Sequence, residues 1–508
     1  MEQTVAIILG VILLASIGFL VWYCIKGYNI MVGFFVVALL WTIIGVIGNQ
    51  VISSGEYMNT FFSYTKTDAD GVVHNLHRSG LEAILFAIKH SFQDGPQGYG
   101  ASILTNIFFG AFFGRILIDT NIASTIIRKT VELGGDKPRV TLALLSIVTA
   151  ILFVNMTGIG PVMAIAVIVL PILLTIGIPP GVALFSFMGS IMAGILVNPV
   201  NFKQYHGIVK TAVENALGKG SSAYGLIDGY DYGNYAAFGW IGLAIVVVGV
   251  ILVSNIALGF KKKTYAWAVD IPDQQGNIEK QDAPWYSWLS ILIPVVLITV
   301  FNMIKFNEIP GKEPSNFTSF STILAFIIAG IYALLTTGKF KGGYKKVVGR
   351  ISKYFADGAM DVAPMVGFLL ALAMFNNAAG LNIPYLKVIV GGIIPSSAVA
   401  LALVFAFISI GSFFRGPINL VGSGSAFATI VFVSLGDPAV TALGIGFIYI
   451  LFSVTTVVPQ HIDITQSWVA WGFGYTNVKP KDFMKMSIPT GYILSIILVL
   501  LALVMYGI

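Results

Sequence analysis

One arginine stands where a membrane segment would ordinarily be apolar. Arg415 lies in Ser412-Phe-Phe-Arg-Gly-Pro-Ile-Asn-Leu-Val-Gly-Ser-Gly-Ser425, between two long apolar runs. An ionised side chain at membrane depth marks a functional position by default, and a guanidinium fork can hold a carboxylate through two parallel hydrogen bonds. The structural alternative is that it reaches an interface or pairs with an acid such as Asp119 or Asp361. Ser423 and Ser425 lie beside it. A second interrupted stretch, Asn155-Met-Thr-Gly-Ile-Gly-Pro161, adds Asn155 and Thr157. Broken helices present N–H groups to anions and carbonyls to Na+, and neutral side-chain oxygens suit either task. The alternative is close helix packing, for which small polar residues also serve.

Further polar residues follow the next apolar run of each half: Asn198 in Asn198-Pro-Val-Asn201, and His461 and Asp463 in Pro459-Gln-His-Ile-Asp463. His461 titrates near neutral pH and can carry a proton, or can simply sit at an interface. Arg115 and Asp119, four apart, share a helix face and can pair. Asp119 is also a candidate for cation coupling, as is Asn376 at the corresponding place in the second half. Asp357 and Asp361 sit at the start of an expected helix, 361–379, where negative charge complements the helix N-terminus. These residues give a substrate set of Arg415, Ser423, Ser425, Asn155, Thr157 and Asn198, and a coupling-ion set of Asp119, Asn376, His461 and Asp463.

The elements that must position them are membrane helices. Of 508 residues, 56% are hydrophobic and 10% charged, against about 25% charged in soluble proteins; mean hydropathy is +0.87. The expected class is an all-α polytopic membrane protein. Apolar runs long enough to span are read at 4–25, 30–53, 101–120, 139–157, 161–178, 181–197, 237–260, 286–304, 319–337, 361–379, 387–410, 417–435, 439–459 and 488–507, giving about 11–14 segments, some re-entrant or broken. Residues 81–93 are too short to span and read as a surface or re-entrant helix. The first run reads as a membrane helix and not a cleaved signal.

Basic clusters at 128–139, 261–263, 339–353 and 479–485 fall on one side when the segments are counted as crossings, the side expected to be cytoplasmic. Loops 54–100, 198–236 and 305–318 and both termini then fall outside. The net charge of +6 sits mostly in such loops, so the basic balance gives no support to nucleic-acid binding. The single cysteine excludes an internal disulfide and a Cys-built metal centre. No P-loop, zincin or nucleophile-elbow motif occurs, which leaves gradient-driven transport or a passive role; the expectation is a non-enzyme with no cofactor beyond Na+ or H+ as coupling ion.

Weak internal symmetry ties the halves together. Gly110 precedes Asp119 by nine residues, as Gly367 precedes Asn376; Gly160-Pro161 matches Gly416-Pro417, Gly177-Ile-Pro179 matches Gly436-Asp-Pro438, and Asn198-Pro199 matches Val458-Pro459. Segments 101–120 and 361–379 run in opposite directions by the charge count, as inverted repeats require. The expected organisation is 1–100 as N-terminal helices and external loop, 101–260 as first repeat, 261–360 as polar linker with two helices and a basic loop, and 361–508 as second repeat with a final helix.

The run Gly110-Ala-Phe-Phe-Gly-Arg-Ile-Leu-Ile-Asp119, then Ile127 to Asp136, Thr157-Gly-Ile-Gly-Pro161, Leu170-Pro171 and Gly177-Ile-Pro179 resembles the first half of the ion transporter superfamily, nearest its gluconate permease and citrate–metal symporter branches. The tail from Val458 to Asp482 is similar in layout to the closing segment of gluconate permeases, but departs from their pattern at Gln460-His461-Ile-Asp463. The resemblance, over about 100–210 and 355–507, implies inverted halves with re-entrant hairpins whose tips, at 155–161 and 412–425, face a small carboxylate carried with H+ or Na+. It also implies a protein of the cytoplasmic membrane; transporters of this kind are often homodimers. The rival readings are a Na+/H+ antiporter using Asp119, Asp463 or His461, and a membrane subunit or enzyme acting on a lipid intermediate.

Overall fold

The computed structural model of the protein describes residues 2–52, 55, 57–68, 73–135, 137–259, 282–303, 320–391 and 394–507. The basic cluster at 261–263, the loop at 305–318 and most of the polar linker lie outside the described residues.

Helices α1 (Glu2–Ile25) and α2 (Ile30–Val51) form an antiparallel pair. At 1.5 Å per residue each is long enough to cross a 30 Å hydrocarbon layer. Asn29 stops the turn between them, its side chain accepting from Val32 N at 3.2 Å. An antiparallel ribbon, β1 (Ser63–Thr67) with β2 (Val73–His77), is the one described departure from an all-helical chain. The chain then enters one 40-residue helical run, α3 (Gly80–Asp119), broken in register only by π-turns at Lys89–Asp94 and Gly100–Leu104. Residues 81–93 are therefore the first part of this long helix, not a separate surface or re-entrant helix. Widening at the π-turns lets Pro96 sit inside the run without ending it.

Next come α4 (Ile122–Gly134), α5 (Pro138–Phe153), α6 (Ile159–Thr175), α7 (Pro180–Ile195) and α8 (Pro199–Leu217). Helices α7 and α8 are bent by 67° about residues 196–198, the geometry of a broken span or a re-entrant loop. Most of the expected external loop 198–236 is therefore helix, and α8 within it is largely buried. After α9 (Ser222–Asp228), α10 (Tyr232–Leu258), a 3-10 turn at Trp285–Ile291, α11 (Ile293–Met303) and α12 (Thr322–Thr336) comes the 37-residue α13 (Tyr344–Gly380). Because α13 starts at Tyr344, Asp361 lies in its interior and cannot act as a charge at its N-terminus.

The second half continues with α14 (Ile383–Val390), α15 (Ala398–Ile408), α16 (Gly424–Leu443, kinked at Gly436), α17 (Ile445–Gln460), α18 (Ser467–Thr476) and α19 (Pro480–Ala502). The expected single segment 387–410 is two helices, since α14 ends at Val390 and Ser397 caps a new one. Among the described residues, eight helices are long and apolar enough to span, the bent pair α7–α8 meets the same test when taken together, and four shorter apolar helices are α5, α6, α12 and α17. The chain has an all-α polytopic membrane fold. The order of elements repeats: a long helix, a short helix, a pair parted by a loop and a broken helix occur in 80–217 and again in 344–476.

Candidate functional site

Four interruptions build the candidate site, and each leaves backbone groups that must find partners at membrane depth. The first, Val154–Gly158, parts α5 from α6; Gly158 takes φ +97°, a region glycine enters without strain. The second, 196–198, parts α7 from α8. Asn198 joins the two. Its Nδ2 donates to Phe153 O and Met156 O, both at 3.0 Å, while its Oδ1 accepts from Val200 N at 2.9 Å and Asn201 N at 3.4 Å. The carbonyls freed at the bend are taken by phenols of α10: Tyr235 donates to Leu196 O at 2.7 Å and Tyr232 donates to Val197 O. Asn155 donates to Ile291 O, leaving its Oδ1 unpartnered.

The third interruption runs from Ser409 to Ser423. Phe414 and Arg415 both hold left-handed backbone, at φ 58° and 59°, a conformation that strains side-chain-bearing residues by about 1–3 kcal/mol each. Partners hold them there. Asp463, from the fourth interruption at 461–466, accepts from Phe414 N at 2.6 Å and from Thr465 N at 2.9 Å. Arg415 donates to Val421 O at 2.7 Å and Gln466 Oε1 at 2.8 Å, with its guanidinium 4.7 Å from the Phe368 ring centre. Gly422 is required, because a Cβ there would overlap the Arg415 backbone. Leu420 N donates to Thr456 Oγ1 at 2.9 Å, and Thr455 donates to Ile418 O at 3.0 Å. Each half thus stitches its loop to its broken helix through side chains: Asn198 in the first, Asp463 and Arg415 in the second.

Between the halves lies a buried pocket. Thr157 and Gly158 from the first interruption, Asn201 beside the second, and Gln460, His461 and Trp468 around the fourth give it polar edges; Phe153, Val162, Ile191, Ile195 and Met365 close it with apolar surface. Its cavity volume is about 10 Å³, room for about one water molecule. Tyr205 links the halves: its hydroxyl donates to Gln460 Oε1 at 2.6 Å and accepts from Asn201 Nδ2 at 3.2 Å. His461 and Trp468 stack with ring centres 5.2 Å apart and planes 16° from parallel. Asn201 Oδ1, His461 Nδ1 and Trp468 Nε1 are buried without a protein partner. Buried polar groups are ordinarily paired, and these three unpartnered atoms on one cavity make it the candidate site.

Behind the Gly158 edge stands an ion pair. Arg115 grips Asp361 through two hydrogen bonds of 2.6 Å, from Nε and from a terminal nitrogen. This corrects the expected Arg115–Asp119 pair, and Arg415 pairs with neither Asp119 nor Asp361. The Asp361 carboxylate lies so close to the first turn of α6 that a Cβ on Gly160 would overlap it, and negative charge there complements the α6 dipole.

The other sequence-derived positions are placed as follows. Thr157 and His461 line the pocket; Asp463 lies two residues beyond His461. Asn155, Asn198, Arg415, Ser423 and Ser425 do not line it. The two serines bond locally, Ser423 to Arg415 O at 3.3 Å and Ser425 to Gly422 O at 3.4 Å. Asp119 is half-buried near the end of α3. Asn376 is buried in α13 with both amide atoms unpartnered, and its carbonyl accepts from Asn215 at 3.2 Å. Sequence reasoning missed Tyr205, Gln466 and Trp468. Trp468 lay in an aromatic stretch, but seven residues from His461 its stacking depends on the turn between them.

This fold is similar to that of the Alcanivorax borkumensis YdaH transporter, whose crystal structure is titled as revealing an unusual topology. The TM-score is 0.57 at 13% identity, over 93% of this chain and 98% of that one. No family model and no curated protein matches the chain by sequence. The likeness is one of fold with a membrane transporter. It does not select the gluconate permease or citrate–metal symporter branches that the sequence motifs resemble.

Proposed function

We propose that this chain is a secondary transporter that moves a small organic anion with H+ or Na+ across the cytoplasmic membrane. One observation carries the reading. Interruptions from distant parts of the chain, at Thr157–Gly158 and Gln460–His461, edge a single buried pocket that holds unpartnered polar atoms. Solute sites at the meeting of broken helices are the pattern of secondary transporters, and the likeness in fold to a transporter agrees with it.

In this reading the two stretches of like element order are inverted repeats, and access alternates by motion of one against the other. Thr157, Asn201, Gln460, His461 and Trp468 hold the solute. Asn155 and Asn198 fix the first tip. Arg415, with Ser423 and Ser425, orders the second and supplies positive charge one layer behind the pocket. His461 and Asp463 are the candidates beside the site for the coupling ion, and Asp119 and Asn376 the remote ones. A homodimer in the bilayer is the assembly this reading carries.

The test is uptake into proteoliposomes under an imposed pH or Na+ gradient. The expected outcome is gradient-dependent carboxylate uptake that Arg415→Ala abolishes at equal membrane insertion. Unchanged uptake in that variant would remove Arg415 from the mechanism. Cation exchange with no carboxylate added, read by a pH-gradient dye, would identify an antiporter instead.

A further inference from the structure

We propose that the crevice between α12 and α13 binds an anionic phospholipid, with an acyl chain in the crevice and the phosphate held by the basic loop at its mouth. The site is separate from the pocket described above and stands whatever solute is carried. Its first support is shape. Helices α12 and α13 are consecutive and joined by the short loop 337–343, yet each packs on α3 and hardly on the other. Gly358 lets α13 lie on the α3 backbone, since a Cβ there would stand 2.8 Å from Phe112 N. Gly330 does the same for α12, where a Cβ would stand 2.9 Å from Ile116 Cδ1. With both helices drawn onto α3, the gap left between them is a cavity of about 460 Å³. Phe109 and Phe112 of α3, Ile331 and Leu334 of α12, and Ile351 and Phe355 of α13 wall it. Among its described lining residues Ser352 alone carries a polar side chain. Ordered water needs polar partners and finds almost none here, so within a bilayer the space takes hydrocarbon.

A chain by itself gains little over the surrounding bilayer, because lipid tails are as apolar as this wall. Selectivity comes from charge at the mouth. Lys339 and Lys341 flank Phe340, and Arg350 and Lys353 flank Ile351-Ser352, so four cations stand next in sequence to lining residues. Lys345 and Lys346 begin α13 between them. Arg350 donates to Lys339 O, which pins the loop to the first turns of α13 and keeps its charges at the mouth. Lys341, Lys345, Lys346 and Lys353 are exposed, and among the described residues none of the five lysines forms a salt bridge.

The acids nearby are too few to neutralise this set. Within 337–360 the single acid is Asp357, and Asp119, at the end of α3, is close enough to interact with Lys339 and Lys353. At about 1.5 Å per residue the 37-residue α13 is longer than a hydrocarbon layer is thick, and its charged first turns are the part that stands at the lipid–water boundary. Clusters of about four to eight Lys or Arg where a helix leaves the membrane attract anionic head groups, and basic crevices between membrane helices hold them.

The experiment is thermal denaturation of the detergent-purified protein at low salt, with lipid adducts followed by native mass spectrometry. The probes are dioleoyl phosphatidylglycerol, dioleoyl phosphatidylcholine and glycerol 3-phosphate. Phosphatidylglycerol is expected to raise the melting temperature and give an adduct of one lipid. Phosphatidylcholine, with the same chains, is expected to bind at least about 10-fold more weakly, and glycerol 3-phosphate, with the charge but no chain, to give no protection. Ile331→Trp fills the cavity from a wall position that is 45% exposed and is expected to abolish the adduct. The double variant Lys341→Gln, Lys353→Gln changes two exposed side chains and is expected to weaken phosphatidylglycerol by about 5-fold per charge while leaving phosphatidylcholine unchanged. Equal binding of the two lipids, or wild-type affinity for phosphatidylglycerol in the double variant, would overturn the proposal. An adduct that survives Ile331→Trp would place the lipid outside the cavity, and protection by glycerol 3-phosphate alone would make the mouth a soluble-phosphate site; either result also refutes it.

Discussion

Replacing Asn198 tests whether its amide is a clamp between two interruptions. The side chain makes four hydrogen bonds to backbone: two donated, to Phe153 O and Met156 O, and two accepted, from Val200 N and Asn201 N. Asn198→Ala removes an N-cap, which costs about 1 kcal/mol. It also leaves two buried carbonyls bare, at about 1–3 kcal/mol each. The sum is about 3–5 kcal/mol once partial relaxation is allowed for. Asn198→Ser keeps the cap and loses the two donors, for about 2–4 kcal/mol on the same terms. Asn198→Asp is nearly isosteric and keeps the cap, but turns a carboxylate oxygen onto two carbonyl oxygens in a buried site; it is expected to be at least as damaging as alanine. The assay is thermal denaturation of the detergent-purified protein, followed by loss of the monodisperse species. The expected order of melting temperature is wild type, then Ser, then Ala, with Asp equal to or below Ala. An Asp variant that melts with wild type would refute the clamp and reduce Asn198 to an ordinary helix cap.

Other consequences follow from the same geometry. Breaking the Arg115–Asp361 pair with Asp361→Asn should lower the melting temperature markedly, because a bound guanidinium loses a bidentate partner; recovery of part of that loss in an Arg115→Gln, Asp361→Asn double variant, relative to the single, would confirm direct coupling. Gly160→Ala should destabilise by about 1–3 kcal/mol, since its methyl group overlaps the Asp361 carboxylate; a variant as stable as wild type would mean that α6 does not meet that carboxylate. Tyr235→Phe should cost about 1–3 kcal/mol in the same melting assay by stranding Leu196 O at the α7–α8 bend.

The sequence by itself determined a good deal. Composition and apolar run length settled the polytopic all-α class, because a bilayer admits only helices or closed barrels. Gly, Pro and small polar residues inside apolar runs located two of the interruptions, near 155–161 and 412–425, since those residues cannot continue an apolar helix without cost; the breaks at 196–198 and 461–466 read only as polar stretches following an apolar run. The sequence alone singles out Thr157 and His461, both of which line the pocket. Other matters were decided only in three dimensions. Spacing could suggest that Arg115 meets Asp119 on one helix, but not that α13 brings Asp361 to a better bidentate geometry from 246 residues away. Membrane segments read one by one could not show that 80–119 is a single helix, because π-turns absorb the proline that sequence rules treat as a stop. Arg415 was legible as unusual, yet its partners Val421 O and Gln466 come from loop shapes that no periodicity encodes. The pocket joins residues 157, 201, 460 and 468; which polar atoms remain unpartnered there depends on where every neighbouring hydrogen bond goes, and that is a property of the packed chain alone.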